Sequence, residues 1–395
     1  MTELSDVVVL SATRTAIGRY GGVLAGVPPC DLAATVLREA VRRAGVEPAD
    51  VGHAVFGHVI HTETRDMYLS RVAAVNGGLP VSTPAFTVNR LCGSGLQAII
   101  SAAQAITLGD AEAAVAGGAE SMSRAQYWLP AMRWGQRMQD GVAIDAMVGA
   151  LTDPFESCHM GVTAENVATE YGISRADQDA LAAQSHHRAA AAAAAGYFDE
   201  QITPVQAPAK KGTVEVVADE HIRPDATAEG MARLRPAFAK DGTVTAGNAS
   251  GVNDAAAAVV LASDSYARSH GAMPLGRLVA YSHAGVEPRI MGIGPVPAVR
   301  KVLERSGLKL DEIDVFEVNE AFAAQALAVV RELGLPPDRT NPNGSGISLG
   351  HPIGATGAIL VVKALYELRR TAGRYALVTM CIGGGQGIAA IFERA

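Results

Sequence analysis

Cysteine is scarce in this chain. Only four occur among its 395 residues, and no two of them form a Cys-x-x-Cys pair. A disulfide framework needs more of them, and zinc sites use closely spaced ligand pairs. We therefore expect Cys30, Cys92, Cys158 and Cys381 to be reduced thiols in a cytosolic protein, and we expect no metal ion.

Basic runs are also missing, and the net charge at pH 7 is −7. Nucleic acid binding needs clustered Lys and Arg, so we expect no nucleic acid partner. We find no stretch long and apolar enough to span a bilayer, so no membrane partner is expected. Residues 1–6 are acidic and unlike a signal or transit peptide, and residues 392–395 carry no peroxisomal tripeptide. These absences predict a cytoplasmic protein.

The size and the apolar content indicate a globular protein of more than one domain. A chain of 395 residues is too long for one ordinary core, so two or three domains are expected. Hydrophobic residues make up 49% of the chain and charged residues 18%, which is normal for an α/β protein.

Hydrophobic periodicity predicts alternating strands and helices. Asp31 is predicted to cap the first long helix, and the almost wholly apolar stretch 93–108 to form a central, buried helix. The other predicted strands are 7–10, 55–59, 113–116, 277–281, 315–318 and 375–380, and the other helices are 70–76, 296–306, 321–333 and 354–368. This alternation predicts mixed, mostly parallel sheets covered by helices, with functional loops at the carboxyl ends of strands.

Three landmarks recur at a nearly constant distance along the chain. Gly45 and Gly307 are 262 residues apart, Cys92 and His351 are 259 apart, and Gly117 and Cys381 are 264 apart. A single match could be chance, because glycine often follows a helix. Three matches in register indicate that one α/β unit was duplicated.

Residues from about 121 to about 251 have no counterpart in the second half, and they are richer in Met, Trp, Pro and charge. We interpret them as an insertion that covers the site and binds the bulk of the substrate. Ser174 is predicted to cap a helix there that continues through the alanines at 189–195. The expected domains are 1–121 with 252–274, the insertion 122–251, and 275–395.

Two thiols and an imidazole each lie in a glycine-rich segment. Cys92 lies in Asn-Arg-Leu-Cys-Gly-Ser-Gly before the buried helix, His351 in Gly-His-Pro-Ile-Gly, and Cys381 before three glycines. A thiolate attacks a thioester, a histidine moves protons, and small residues let backbone N–H groups approach an oxyanion. The helix terminus at Cys92 is expected to favour its thiolate.

Each residue also has a structural alternative. Cys92 could be a buried core cysteine, and His351 a loop histidine bonded to backbone. The glycines after Cys381 could form a phosphate loop, but such a loop would follow an early βα unit. Asn319 could be a simple helix cap, or its amide could orient a water or a carbonyl beside His351.

These segments resemble the thiolases, and the resemblance covers nearly the whole chain. It is carried by residues 89–95, 247–251, 319–322, 343–352 and 381–387, and is greatest with the bacterial β-ketothiolases of polyhydroxyalkanoate synthesis. It implies a thiolase fold, in which two duplicated mixed-sheet α/β halves pack in an αβαβα arrangement and carry an inserted loop domain. It also implies a reversible Claisen condensation of two acetyl-CoA, or of acyl-CoA and acetyl-CoA, to 3-ketoacyl-CoA.

The resemblance assigns the catalytic roles. Cys92 resembles the nucleophile that carries the acyl group, and Cys381 the base that deprotonates the second thioester. His351 would activate Cys92 and, with Asn319 and a water, form one oxyanion hole. The backbone N–H groups of Cys92 and Gly383 would form the other.

The same resemblance implies that coenzyme A thioesters are substrates and that no cofactor is needed. The positions that would line the path of coenzyme A and its pantetheine arm are Leu151, His159, Met160, Arg223, Leu234, Ala246, Ser250, Met291, Ala321 and Phe322. Arg223 suits an anionic nucleotide end, although it could also be a solvated charge.

A homotetramer, built as a dimer of dimers, is the expected assembly. Trp128, Leu129, Met132 and Trp134 lie in the unmatched stretch 122–138, and unmatched apolar surface usually marks an interface. The resemblance places a tetramerisation loop in the same stretch.

Two other functions compete with a thiolase. A ketoacyl synthase of the same superfamily carries histidine or asparagine where this chain has Cys381, and a carrier without catalysis would not need all three groups. Met160 and Met291 suggest a short-chain pocket, but methionine adapts its shape, so the sequence does not fix acyl chain length.

Overall fold

The structure is a computed structural model that describes residues 6–395. Almost all of the acidic start, and so the first five residues of the expected first domain, lies outside the described residues. The first part of the chain forms β1 (Val7–Arg14), β2 (Gly18–Arg19), α1 (Pro29–Ala44), β3 (Val51–Gly57), α2 (Leu69–Asn76), β4 (Ala85–Val88), α3 (Ser94–Leu108) and β5 (Ala113–Ser121).

The middle of the chain consists of short elements and two longer helices. They are β6 (Tyr127–Trp128), β7 (Ile144–Asp145), α4 (Ala146–Ala150), β8 (Thr152–Asp153), β9 (Cys158–His159), α5 (Met160–Glu170), α6 (Arg175–Ala194), β10 (Val205–Pro208), β11 (Thr213–Val216) and α7 (Ala228–Ala232).

The last part returns to long strands and helices. They are β12 (Asn253–Ser263), α8 (Asp264–Ser269), β13 (Gly276–Gly285), α9 (Pro295–Ser306), β14 (Val315–Val318), α10 (Ala323–Leu333), α11 (Gly346–Leu349), α12 (Thr356–Thr371), β15 (Tyr375–Ile382) and β16 (Gln386–Arg394). Single 3₁₀ turns occur at Pro48–Asp50, Thr64–Tyr68, Met122–Arg124, Pro130–Trp134, Pro288–Ile293 and Leu310–Glu312.

The two halves have the same strand order. In the first half the order is β4-β3-β5-β12-β1, and in the second it is β14-β15-β16-β13. Strands β3, β5, β12 and β1 therefore correspond to β14, β15, β16 and β13. A parallel bridge from Phe316 to Thr340 on the outer side of β14 corresponds to the pairing of β4 with β3. The repeated order agrees with the duplication that the sequence spacing indicates. The halves meet where β1 pairs with β13 at Val8 and Val9.

Helices α3 and α12 form the central layer. Helix α3 contacts α12 and strands of its own half, while α12 contacts β14 and β15 on one side and β1, β5 and β12 on the other. Helices α1 and α9 cover the outer faces of the two halves. The layers therefore follow the αβαβα order, and the loops before α3 and α12 lie together.

Two glycines allow α3 and α12 to approach each other closely. A Cβ atom on Gly95 would lie 2.7 Å from the backbone nitrogen of Ala358, and one on Gly357 would lie 2.3 Å from that of Leu96. Real Cβ atoms do not approach backbone this closely, so both positions need glycine. The pair is 262 residues apart, the same spacing as Gly45 and Gly307.

The middle region packs on the site side of the second half. Helix α6 contacts α10 and α11, and it begins where the Ser174 side chain accepts the backbone N–H of Asp177, as predicted. Further along, the Ser185 hydroxyl lies 2.6 Å from Glu320 Oε2 and 2.8 Å from Ser348 Oγ. The described part of the middle region is thus bonded directly to the segments around Asn319 and His351.

Three predictions about the elements were wrong. Asp31 is not the cap of α1, because the helix starts at Pro29 and a proline at the first position already suits a helix start. The pairing is not mostly parallel, since β12 and β16 run antiparallel to their neighbours. Strands β12 and β16 were not predicted, because the prediction relied on strands that alternate with helices, whereas β12 follows the middle region and β16 follows β15 through a short turn.

The third concerns membrane spans. The stretch Leu91–Leu108 is long and apolar enough to cross a bilayer by length and composition, contrary to the prediction. In the structure it contains helix α3, whose many fully buried residues pack between the strands of the core. A central helix of a layered protein needs the same apolar composition on most of its faces.

Candidate active site

The Cys92 turn joins β4 to α3. Asn89 Oδ1 accepts the backbone N–H of Leu91 at 3.0 Å, and the Ser94 hydroxyl accepts the N–H of Arg90 and donates to the Leu91 carbonyl. These bonds hold Leu91 at a φ of 46°, which is rare for a branched residue. The turn presents the half-buried Cys92 two residues before the helix starts.

His351 lies between α11 and α12, and three side chains hold it. Its backbone N–H donates to Asn253 Oδ1 at 3.0 Å. On the ring, Nε2 lies 3.4 Å from Asn319 Nδ2, and Nδ1 lies 2.6 Å from Thr356 Oγ1. The imidazole is therefore fixed at both nitrogens, and Asn319 lies beside it as the sequence predicted.

Cys381 lies near the end of β15, and Gly383 lies in the tight turn that leads to β16. A Cβ on Gly383 would lie 2.8 Å from the terminal carbon of Met160 and 3.3 Å from Leu91 Cδ1. Any side chain at this position would crowd Met160 and Leu91 and take up space in the cavity that contains Cys92. Glycine keeps that space open and leaves its N–H group accessible.

One cavity of about 50 Å³ contains both thiols and the imidazole. Its predicted lining residues are Cys92, Leu151, Met160, Ser250, Met291, Ala321, Phe322, His351, Cys381 and Gly383. The structure adds Leu91, Ala150 and Ile353, which were not predicted from the sequence. The cavity brings together residues from both halves and from the middle region.

A second cavity of about 230 Å³ contains the predicted residues Arg223, Leu234 and Ala246. It ends at Ala249, and the inner cavity begins at the next residue, Ser250. His186 and His221 also line it, although neither was predicted from the sequence. Burial lowers the pKa of both to about 4, so both rings are neutral at neutral pH.

His159 lines neither cavity. Its ring stacks on Phe238 at 4.7 Å, and Phe238 meets Phe322 edge-on at 6.1 Å. Its Nδ1 accepts the N–H of Gly161 at the start of α5. His159 therefore lies outside both cavities, and its expected place on the path of coenzyme A stays a prediction.

Burial controls the charges in the inner cavity. It raises the pKa of Cys92 to about 11, an effect that the backbone N–H groups of Gly383 and Cys92 itself partly oppose. It also lowers the pKa of His351 to about 4. Burial raises the pKa of Cys381, and the nearby Cys92 raises it further. The thiols and the imidazole are thus neutral at rest, and the expected resting thiolate at Cys92 is not supported.

Glu120 is a buried carboxyl that was not predicted as part of the site. Its oxygens accept the backbone N–H groups of Val59, Ile60 and Gly354, and burial raises its pKa to about 8. It therefore ties the loop after His351 to the loop after β3. The sequence did hold one signal: Glu120 lies at the end of β5, and β5 is the counterpart in the first half of β15, the strand that carries Cys381.

The described part of the chain contains no cluster of side chains that could bind a metal ion. Among residues 6–395, no group of three or more His, Cys, Asp or Glu side chains could hold an ion. What the inner cavity offers instead is a thiol next to a neutral imidazole, a second thiol, and backbone donors. An enzyme that transfers acyl groups through a cysteine needs these groups.

The comparisons with known proteins identify the family. Residues 7–265 match the family model "Thiolase, N-terminal domain", and residues 272–394 match "Thiolase, C-terminal domain". The chain belongs to the thiolase family and is an acyltransferase. It is 65% identical to a β-ketothiolase BktB of Cupriavidus necator, over 98% of this chain and 99% of the relative.

Further relatives and solved structures agree. An acetyl-CoA acetyltransferase of Chromobacterium violaceum is 50% identical, over 98% of this chain and all of the relative. The crystal structure of the Bacillus anthracis acetyl-CoA acetyltransferase superposes with a TM-score of 0.98 at 47% identity, covering both chains fully. The human mitochondrial 3-ketoacyl-CoA thiolase in complex with CoA gives 0.96 at 44%, covering all of this chain and 99% of that one.

Proposed function

We propose that this thiolase performs its reversible Claisen condensation on two acetyl-CoA molecules, with Cys92 as the nucleophile and Cys381 as the α-carbon base. One observation carries the proposal: a single cavity holds both thiols, the imidazole of His351 and the N–H of Gly383. Neither a ketoacyl synthase, which lacks the second thiol, nor a carrier protein would need this set.

The first stage transfers the acetyl group to Cys92. His351 takes the proton of the Cys92 thiol as the sulfur bonds to the thioester carbon. The bond to the coenzyme A sulfur then breaks, and Cys381 gives its proton to that sulfur. Because burial raises the pKa of Cys381, this thiol is protonated at rest and is available as a donor.

The second stage forms the carbon–carbon bond. The Cys381 thiolate takes a proton from the methyl group of the second acetyl-CoA, and the enolate carbon attacks the acetyl group on Cys92. The Cys92 sulfur leaves and recovers its proton from His351. All protons and charges return to the resting state, in which every group is neutral.

Two sets of donors would stabilise the negative oxygens that form. The N–H groups of Cys92 and Gly383 act on the sulfur of Cys92 at rest, since both lower its pKa. The same donors are placed to act on an oxyanion at the carbon bonded to that sulfur. His351, Asn319 and a water would serve the enolate oxygen of the second thioester.

Coenzyme A would bind along the two cavities. The outer cavity would hold the nucleotide end, with Arg223 as a cation for its phosphates. The pantetheine arm would pass Ala249 and Ser250 into the inner cavity. The human mitochondrial thiolase, whose structure was solved in complex with CoA, supports a coenzyme A site in this fold.

The acyl chain length, the pathway, the location in the cell and the domain bounds are part of the same proposal. An inner cavity of about 50 Å³ favours short acyl groups, with Met160 and Met291 among its walls. A role in polyhydroxyalkanoate metabolism, which the sequence resemblance implies, belongs to the same proposal. We place the protein in the cytoplasm, and we keep the division into 1–121 with 252–274, 122–251, and 275–395 as the proposed domains.

Initial rates test this function. Thiolysis of acetoacetyl-CoA by coenzyme A is expected to be efficient, and kcat/KM is expected to fall as the 3-ketoacyl chain lengthens. Replacing Cys92 by serine should remove the activity, whereas Cys158→Ser, a change of the same kind outside the cavity, should leave it intact. Absence of any thiolysis by the folded wild-type enzyme would overturn the proposal.

A further inference from the structure

Thr356 is a residue to which neither the resemblance nor the proposed mechanism gives a role. It is the first residue of α12 and is almost fully buried, as is His351. Its hydroxyl oxygen lies 2.6 Å from His351 Nδ1 and 2.9 Å from the carbonyl oxygen of Pro352.

The chemistry of the two partners of the Thr356 hydroxyl indicates where the protons lie. A carbonyl oxygen only accepts, so the Thr356 hydroxyl donates its one proton to Pro352. The oxygen of Thr356 must then accept, and the available donor is an N–H at His351 Nδ1. A neutral imidazole carries one proton, so Nε2 is left with a lone pair.

The other side of the ring agrees with this assignment. Asn319 Nδ2 lies 3.4 Å from Nε2, and an amide nitrogen can only donate there. Both neighbours of the imidazole thus favour one tautomer, with the proton on the nitrogen that faces α12. The unprotonated nitrogen is the one beside Asn319, and His351 lines the cavity that contains Cys92.

We propose that Thr356 is a positioning residue: its hydroxyl holds the proton of His351 on Nδ1 and so keeps Nε2 free to accept the proton of Cys92. The inference rests on the proposed function, since it assumes that Cys92 is acylated. A histidine held in the opposite tautomer could donate from Nε2 but could not act as the base.

The proton movements during acylation show what Thr356 does. The Cys92 proton moves to Nε2 while the sulfur bonds to the acetyl carbon, and the bond from that carbon to the coenzyme A sulfur breaks. The departing sulfur receives the Cys381 proton. During this step the proton on Nδ1 stays hydrogen-bonded to the hydroxyl oxygen of Thr356. By accepting this hydrogen bond, the oxygen stabilises the imidazolium.

The test compares three substitutions. Thr356→Val keeps the shape and removes the hydroxyl, Thr356→Ala removes it with a smaller side chain if the valine variant does not fold, and Thr356→Ser keeps the hydroxyl. Thr107→Val is the matched control: Thr107 lies on α3 and makes the same type of hydroxyl bond, to the carbonyl of Ala103. Thermal unfolding and circular dichroism establish that each variant is folded.

The measured quantity is the rate at which acetyl-CoA releases its first equivalent of coenzyme A, from pH 6 to pH 9. In other enzymes, variants that hold a histidine in the wrong tautomer or lack the general base react about 10²–10⁴-fold more slowly. We therefore expect the rate of Thr356→Val at pH 7 to be lower than that of the wild type by about 10²-fold or more. Thr356→Ser and Thr107→Val should stay within about threefold of the wild type, on the scale of ordinary hydrogen-bond effects.

The pH dependence separates a lost base from a distorted site. With a neutral histidine and a protonated thiol throughout this range, the wild-type rate should be nearly constant. Without the base, acylation depends on the small fraction of Cys92 thiolate, which grows about tenfold per pH unit. The rate of Thr356→Val should therefore rise with pH and approach the wild-type rate.

Two results would overturn the inference: a Thr356→Val rate within about threefold of the wild type, or a loss that is the same at every pH, as a merely structural effect would give. Neither result affects the proposed function, because the wild type would still form its acetyl-enzyme. If the wild type itself released no coenzyme A, the proposed function would fail, not the role of Thr356 alone.

Discussion

At the scale of single residues, the site works with neutral groups placed against one another. Burial raises the pKa of Cys92 to about 11 and lowers that of His351 to about 4, so the pair does not form an ion pair at rest. The reactive thiolate has to be generated while the substrate is present. A neutral resting thiol also limits unwanted reactions of the nucleophile, since the thiolate is the reactive form.

Cys381 gives a residue-scale prediction. Cys381→Ala leaves Cys92 and His351 in place, so acylation by acetyl-CoA should persist at a reduced rate. Condensation should fall by about 10²–10⁴-fold or more, because the methyl group has lost its base. The measurement compares acetyl-enzyme formation with exchange of the methyl protons of acetyl-CoA into deuterated water.

The matched control for this variant is Cys30→Ala, a buried thiol outside the inner cavity. It should reduce stability in the way that Cys381→Ala does, without changing proton exchange. If the folded Cys381→Ala enzyme exchanged protons at the wild-type rate, Cys381 would not be the base and His351 would take that role.

At the scale of secondary-structure elements, the sequence predicted what periodicity and glycine punctuation can reveal. Helices α3 and α9 and strand β14 lie within about two residues of their predicted bounds, because a turn or a glycine marks each end. Strands β12 and β16 were missed, since neither follows a predicted helix: β12 comes after the middle region, and β16 follows β15 through a short turn.

The site was predicted in part for a similar reason. Cys92, His351 and Cys381 lie in unusual local sequences, and the chain brings them together because α3 and α12 occupy equivalent places in a duplicated unit. Glu120 acts through hydrogen bonds to partners far away in sequence. Leu91 and Thr356 act through a local loop geometry that only the folded chain creates. Such contacts leave no signal in local composition.

The close crossing of the central helices gives an element-scale prediction. Gly357→Ala would place a Cβ atom 2.3 Å from the backbone nitrogen of Leu96, so α3 and α12 must separate. Overpacking of this kind costs about 1–3 kcal/mol, and we expect a loss of that size in the free energy of unfolding. Urea denaturation followed by circular dichroism measures it.

Gly141→Ala is the control, because an added Cβ at Gly141 meets nothing within 4 Å. Its stability should match that of the wild type. Because α12 follows the His351 loop directly, the Gly357 variant should also lose thiolysis activity. A Gly357→Ala enzyme as stable and active as the wild type would show that the two helices do not depend on this close crossing.

At the scale of the whole molecule, an exposed apolar surface indicates assembly. Within residues 122–138, Trp128, Leu129, Met132 and Trp134 are exposed by 54%, 52%, 62% and 88%, which confirms the predicted exposure. An apolar surface of this kind usually marks a contact between chains. The segment belongs to the middle region, which has no counterpart in the duplicated halves.

We expect the protein to be a tetramer, and light scattering at micromolar concentration measures its mass. Replacing Met132 and Trp134 together by glutamate should reduce the mass to that of a smaller species, because charge at an apolar contact is costly. Met273→Glu, at a methionine exposed by 86% outside this segment, should leave the mass unchanged. A monomeric wild type would contradict the expectation.

The most direct test of the account is to locate the acetyl group after the enzyme is mixed briefly with acetyl-CoA. Intact-mass and peptide mass spectrometry should find one acetyl group per chain, on Cys92 and on no other cysteine. The same modification should form in Cys381→Ala and should disappear in Cys92→Ser. Acetyl groups on Cys30 or Cys158 in place of Cys92, or no acetyl-enzyme at all, would contradict a mechanism in which Cys92 carries the acyl group.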